Sequence, residues 1–213
     1  MLGYLPYLLE GALVSLAIAA ASAIVAVAVA FLAAFARLSS SRWLRASAAC
    51  YVEFFRGTSL LVQLFWLFFV LPQFGVLLNA YVVAVLALGL NIGAYGSEVV
   101  RGAIVSTAQG QLDAAKALNM SPRLAMRRIV LPQAFVTMLL PWGNLLIILL
   151  KSTALVSLIT IQDLTFRIYN LNIQTFKTLQ LYTLSLVIYF CMAQMISLSV
   201  SALYSRVTRF SRK

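Results

Sequence analysis

The sequence contains no histidine and only two cysteines, Cys50 and Cys191. Without histidine there is no Ser-His or Cys-His nucleophile, and with so few thiols most zinc sites are excluded too. The two cysteines stand far apart in apolar surroundings. They read as buried small hydrophobes, not as a disulfide framework. Acidic residues are also scarce: Glu10, Glu53, Glu98, Asp113 and Asp163 are the only five in 213 residues. Charged residues make up 10% of the chain, against about a quarter in average usage. The first basic residue is Arg37, so the positive region of a cleaved signal peptide is missing. A P-loop is missing as well. The only Lys-Ser pair, Lys151-Ser152, has Leu145 and Leu150 where that motif requires glycine. The chain is not expected to be an enzyme, and it carries no expected cofactor or metal.

What fills the space is apolar. Hydrophobic residues are 63% of the sequence, and mean hydropathy is +0.98. Five runs, 12–36, 50–71, 80–97, 133–150 and 179–204, are long enough to cross a bilayer, which takes about 20 helical residues. The run 154–161 is too short to span and reads as a helix extension or a packed external segment. With no internal repeat and no low-complexity linker, residues 1–213 read as a single all-α membrane domain of five transmembrane helices.

The net charge of +11 invites a nucleic-acid partner. The placement of the charge argues for the lipid bilayer instead, because the basic residues cluster just outside the apolar runs. Alternating the spans puts thirteen of the sixteen on one side and leaves Lys151, Arg167 and Lys177 on the other. Retention of Lys and Arg in the cytoplasm then fixes the N-terminus outside and the C-terminus and the 98–132 segment inside.

Local patterns refine this plan. Arg37, Arg42 and Arg45, with serines between, read as a short cytoplasmic connection. Glu53 and Arg56 stand three apart, as do Glu98 and Arg101, so each pair can meet on one helix face. Gln63 lies deeper and can face the interior. Asn91, Gly93 and Gly96 give the third span a small, polar face toward its neighbours. Pro141-Trp142-Gly143-Asn144 predicts a break in the fourth span. In the long polar segment, Leu112, Ala115 and Leu118 form a short helical stripe. Asn119 falls where that helix should stop, since Asn is the next choice after Gly for left-handed geometry. Ser121-Pro122 then reads as a cap and first turn of a second helix.

That same segment carries a pattern. Asp113-Ala114-Ala115 is followed after three residues by Asn119, and after nine more by Ile129-x-Leu131-Pro132. This resembles the EAA loop, about 98–132 here, of ATP-binding cassette importer permeases, in which Glu-Ala-Ala, Gly and Ile-x-Leu-Pro share these gaps. Asp113 stands for Glu and Asn119 for Gly. The flanking Gln109-Gly110, Arg127-Arg128 and Gln133-Ala134 are most similar to the polar amino acid branch, with histidine, glutamine and arginine permeases. The run Glu53–Leu64 also resembles the family, with Ser59 where Pro is usual.

The resemblance implies a type I importer permease fold in a bacterial inner membrane. It implies a separate ATPase that holds ATP and Mg, a second permease subunit, identical or sister, and an external substrate-binding protein. Asp113, Ala114, Ala115, Asn119, Ile129, Leu131 and Pro132 would couple the chain to the ATPase, with a small-residue helix in a groove. The cargo implied is a polar amino acid or similar zwitterion, with a compatible solute such as ectoine in the same class.

Polar residues at depth, Asn91, Asn144, Lys151, Ser152 and Thr153, are candidates for a translocation path. Interhelical hydrogen bonding accounts for them equally well. The alternative function is an ion- or proton-coupled secondary transporter. It would use intramembrane carboxylates, whereas Glu10, Glu53, Glu98 and Asp163 all fall at or beyond span ends.

Overall fold

The computed structural model describes residues 4–107 and 109–211, and all regular structure among them is helical. Arg212 and Lys213, counted above to the inner side, lie outside the described residues. Among the described residues, four helical stretches are long and apolar enough to cross a membrane, Leu5–Arg37, Ala80–Val105, Pro122–Ile159 and Thr178–Thr208, and the bent pair Arg42–Gly57 with Leu60–Phe74 makes five if it crosses as one span.

The predicted second span is not one helix. Helix α2 (Arg42–Gly57) already contains Arg42 and Arg45, so the connection after α1 (Leu5–Arg37) is confined to 38–41. After Gly57 the chain bends by 104° into the run Leu60–Phe74, which opens with α3 (Leu60–Phe65). Thr58 and Ser59 are both extended, with ψ of 153° and 131°. Two consecutive extended residues stop a helix without any proline. The pair expected between Glu53 and Arg56 does not form either; Arg56 turns to Glu98.

Prolines act elsewhere in a consistent way. A proline inside a helix removes one backbone hydrogen bond and clashes with the carbonyl four residues back. Widening the preceding turn relieves this. Among the described residues two π-turns occur, at Trp66–Val70 and Met126–Val130, and each ends just before a Leu-Pro pair, Leu71-Pro72 and Leu131-Pro132. Pro141 behaves differently. The expected break at 141–144 is absent, and α7 (Leu131–Ser152) runs straight through it. Packing on both flanks accounts for this. A Cβ on Gly96 would lie 2.7 Å from the Trp142 ring, and one on Gly143 would lie 2.8 Å from Val200.

The core is centred on α1 and α4 (Ala80–Val105), which pack more extensively than any other pair. Close approach of backbones explains the glycines there. A Cβ on Gly89 would meet Val25 at 2.7 Å, and one on Gly93 would meet Val29 at 3.1 Å. Small residues gain packing in this way where lipid offers no hydrophobic driving force.

The run 153–159 is a 3-10 extension of α7, and the segment after it folds into α8 (Leu164–Thr175). Asp163 caps α8, its Oδ1 accepting from the Phe166 N–H at 2.9 Å. Asp163 is wholly buried, which the sequence did not suggest. Finally α9 (Thr178–Ser211) buries only 6% of its most apolar stretch within the chain. Cys50 and Cys191 are exposed, contrary to expectation. In a membrane protein an apolar sequence context marks a lipid or partner face as readily as a core.

Candidate coupling surface and polar groove

Helix α5 (Gln109–Ala117) carries the Asp-Ala-Ala triplet. Asn119 has φ of 54° and ends the helix with two bonds: its N–H donates to the Lys116 carbonyl at 2.9 Å, and the Met120 N–H donates to the Ala115 carbonyl at 3.0 Å. This is a Schellman closure with Asn in the left-handed position. Ser121 accepts from the Leu124 N–H at 3.4 Å, and Pro122 opens α6 (Pro122–Ala125). The turn holds α5 apart from the long helical run Pro122–Ile159 that becomes α7.

The triplet has two faces. Ala115 is buried inside the chain, while Asp113, Ala114, Ala117 and Leu118 are exposed. Leu118, at 76% exposure, is a large apolar side chain on an otherwise polar segment. Asp113 meets Lys116 at 3.4 Å, one turn on. Ile129 lies in the π-turn, and Leu131 and Pro132 open α7. Gln133 donates to Gln111, tying α7 back to α5.

Near this end, Glu98 of α4 gathers three arginines. It pairs with Arg37 at the end of α1, with Arg101 at 2.9 Å, and with Arg56 at 3.5 Å. One carboxylate thus joins α1, α2 and α4. At the far end of α1, Arg167 of α8 donates to the Glu10 carboxylate at 2.7 Å and to the Tyr7 carbonyl at 2.8 Å.

The five polar residues expected at depth do not form one site. Asn91 is buried, donating to the Phe55 carbonyl and to Gln63 Oε1, both at 3.0 Å. Gln63 in turn donates to the Phe55 carbonyl at 3.0 Å and to Thr58 Oγ1 at 2.6 Å. The two amides therefore satisfy the carbonyl end of α2 freed by the bend. Ser152 and Thr153 donate to their own helix, to Ile148 at 2.9 Å and Leu150 at 2.7 Å.

Asn144 and Lys151 are exposed on α7 and line adjoining grooves against α9 that share Ile147 and Ser197. The groove at Lys151 encloses about 410 Å³ and includes Tyr189, Gln194 and Ser197. Lys151 lies beside residues 186–197, well inside the 178–211 helix rather than at its outer rim. It forms no ion pair among the described residues. Gln194 and Ser197 were not singled out from sequence. A glutamine inside a continuous apolar run was the available signal.

The family described as binding-protein-dependent transport system inner membrane component matches residues 26–213. A probable amino-acid ABC transporter permease of Sinorhizobium fredii is 46% identical over 180 residues, 82% of this chain and 76% of the relative. The L-cystine transport system permease of Bacillus subtilis is 36% identical, covering 86% and 79%. The octopine transport system permease of Rhizobium radiobacter is 37% identical, covering 85% and 78%. Among solved structures, a chain of an amino acid ABC transporter with histidines has a TM-score of 0.91 at 33% identity, over 97% of this chain and 96% of that one. An inward facing methionine ABC transporter shares the fold, with a TM-score of 0.75 at 18% identity over 94% and 95%. The chain therefore belongs to the family of binding-protein-dependent transport system inner membrane components, with the type I fold of ABC importer permeases.

Proposed function

We propose that the chain moves a polar amino acid or similar small zwitterion into the cytoplasm, driven by a separate ATPase that docks on α5. The observation that carries this reading is the exposed Ala114, Ala117 and Leu118 face on a short helix that its own chain leaves uncovered. Asp113 on the same helix offers an acceptor to a polar partner. ATP and Mg belong to the ATPase. An external substrate-binding protein delivers the cargo, and a second permease subunit covers α9, whose polar groove would otherwise face lipid. The relatives named for cystine, octopine and glutamine support the cargo class.

The proposed topology places α5 and the Glu98 cluster inside, with Glu10, Arg167 and the N-terminus outside. Lys and Arg asymmetry supports it. A charged group at depth faces a cavity or a partner rather than lipid. Lys151 forms no ion pair among the described residues and no carboxylate lines its groove, so a cargo carboxylate would supply its counter-charge. Asn144 lies farther along the same face of α7.

The test is to purify the chain with its companions and screen the cognate external receptor with glutamine, arginine, cystine and ectoine. The expected result is a copurifying ATPase whose hydrolysis rises when a loaded receptor is added. Purification without an ATPase, or hydrolysis indifferent to every loaded receptor, contradicts the proposal.

A further inference from the structure

An open groove of about 1290 Å³ runs between the end of α1, the face of α2 and the start of α6. Its wall is largely apolar, with Leu32, Ala36, Leu44, Ala48 and Leu90, and no acidic residue lines it. Leu32 is 71% exposed there, so none of the described residues covers it. The groove shares Phe35, Pro122 and Arg123 with an adjoining trough of about 560 Å³, whose further cation is Arg127. Arg123 and Arg127 are both exposed and form no ion pair among the described residues. Ser39, Ser40 and Ser47 add hydroxyls along the wall.

An apolar trench that opens on two unpaired arginines has the chemistry of one ligand class, a chain of hydrocarbon ending in an anion. Basic pockets between membrane helices on the cytoplasmic side bind anionic headgroups in this manner. Arginine suits phosphate because its planar fork makes paired hydrogen bonds. We infer that the groove between α1, α2 and α6 is a binding site for one anionic phospholipid. An acyl chain lies along Leu32 and Ala36, and the phosphate is held by Arg123 and Arg127. Because α6 leads from the α5 turn into α7, the lipid would brace the segment that positions α5. The inference is independent of the cargo.

Native mass spectrometry of the complex with its ATPase, purified in mild detergent and incubated with phosphatidylglycerol or phosphatidylcholine, tests this. The expected result is one retained phosphatidylglycerol per permease chain and no comparable phosphatidylcholine. Arg123→Gln with Arg127→Gln should cut retention at least fivefold, and the paired lysine variant should keep most of it. Leu32→Trp, which fills the trench from an exposed position and leaves both charges, should also cut it. Arg206→Gln, a charge change on α9 away from the groove, should not. Retention unchanged by the glutamine pair and by Leu32→Trp overturns the site. Retention by the permease alone but not by the assembled complex also overturns it, because a protein surface then occupies the groove.

Discussion

At the scale of single residues, burial raises the Asp163 carboxyl to about 6, and its Oδ2 finds no partner among the described residues. The Phe166 and Thr165 backbone N–H groups and the Thr165 and Ser15 hydroxyls pull the other way without offsetting the lost hydration. The folded chain thus holds this proton more tightly than the unfolded chain. Its stabilising effect is full below the ordinary carboxylate value of about 4 and is lost as pH rises through about 6. Asp163→Asn cannot ionise and remains a good cap. It should raise thermal stability at pH 8, by on the order of 3 kcal/mol, and raise it much less at pH 4. An equal gain at both pH values in thermal unfolding would count against a buried, ionising carboxyl.

Asn119 and Ser59 allow two further comparisons of backbone geometry. At φ 54°, Asn119→Gly should preserve transport, whereas Asn119→Val should impair it, since a β-branched residue resists left-handed geometry. Equal uptake by both would mean that this geometry is not needed. Ser59 has φ of −69° after an extended residue, which is the conformation proline imposes. Ser59→Pro should therefore stabilise by about 0.4–1 kcal/mol. A fall in melting temperature would show that the bend needs the freedom serine gives.

At the scale of elements, the α1–α4–α7 packing rests on glycines that admit no Cβ. Gly89→Ala and Gly96→Ala should each destabilise by about 1–3 kcal/mol through overpacking. Gly102→Ala, with nothing within 4 Å, should be neutral or slightly stabilising. Melting temperatures of the purified variants check the contrast, and three equal shifts would refute it. The sequence showed the four long helices through their long apolar runs, and it showed the α5 stop through Asn119 and Ser121-Pro122. It did not show the bend after Gly57. That bend is set by Thr58 and Ser59 backbone geometry and by amides from Gln63 and Asn91, which are distant in sequence. It misplaced a break at Pro141, because the packing of Trp142 on Gly96 and of Gly143 on Val200 is tertiary. Burial of Asp163 and exposure of Cys191 were hidden for the same reason: hydropathy says that a residue avoids water, not what it faces instead. For the candidate site, spacing found α5 but not that Ala115 points inward, and it found Lys151 but not its groove partners on α9.

At the scale of the whole molecule, the chain is a helical bundle with two exposed surfaces, α9 on one flank and α5 at one end. The central claim is that α5 transmits the work of a separate ATPase. Ala114 and Leu118 are exposed, so substituting them leaves the chain's own core untouched. On a free membrane-surface helix an added arginine would be harmless or mildly favourable beside anionic lipid. In a protein groove the same side chain overpacks the contact and buries an unpaired charge. The decisive measurement is ATP hydrolysis by the reconstituted complex carrying Ala114→Arg, with and without loaded receptor, at matched permease levels. The account predicts normal insertion of the permease with loss of the bound ATPase or of the stimulated rate. An Ala114→Arg complex that assembles and answers loaded receptor as the unmodified one does would contradict it.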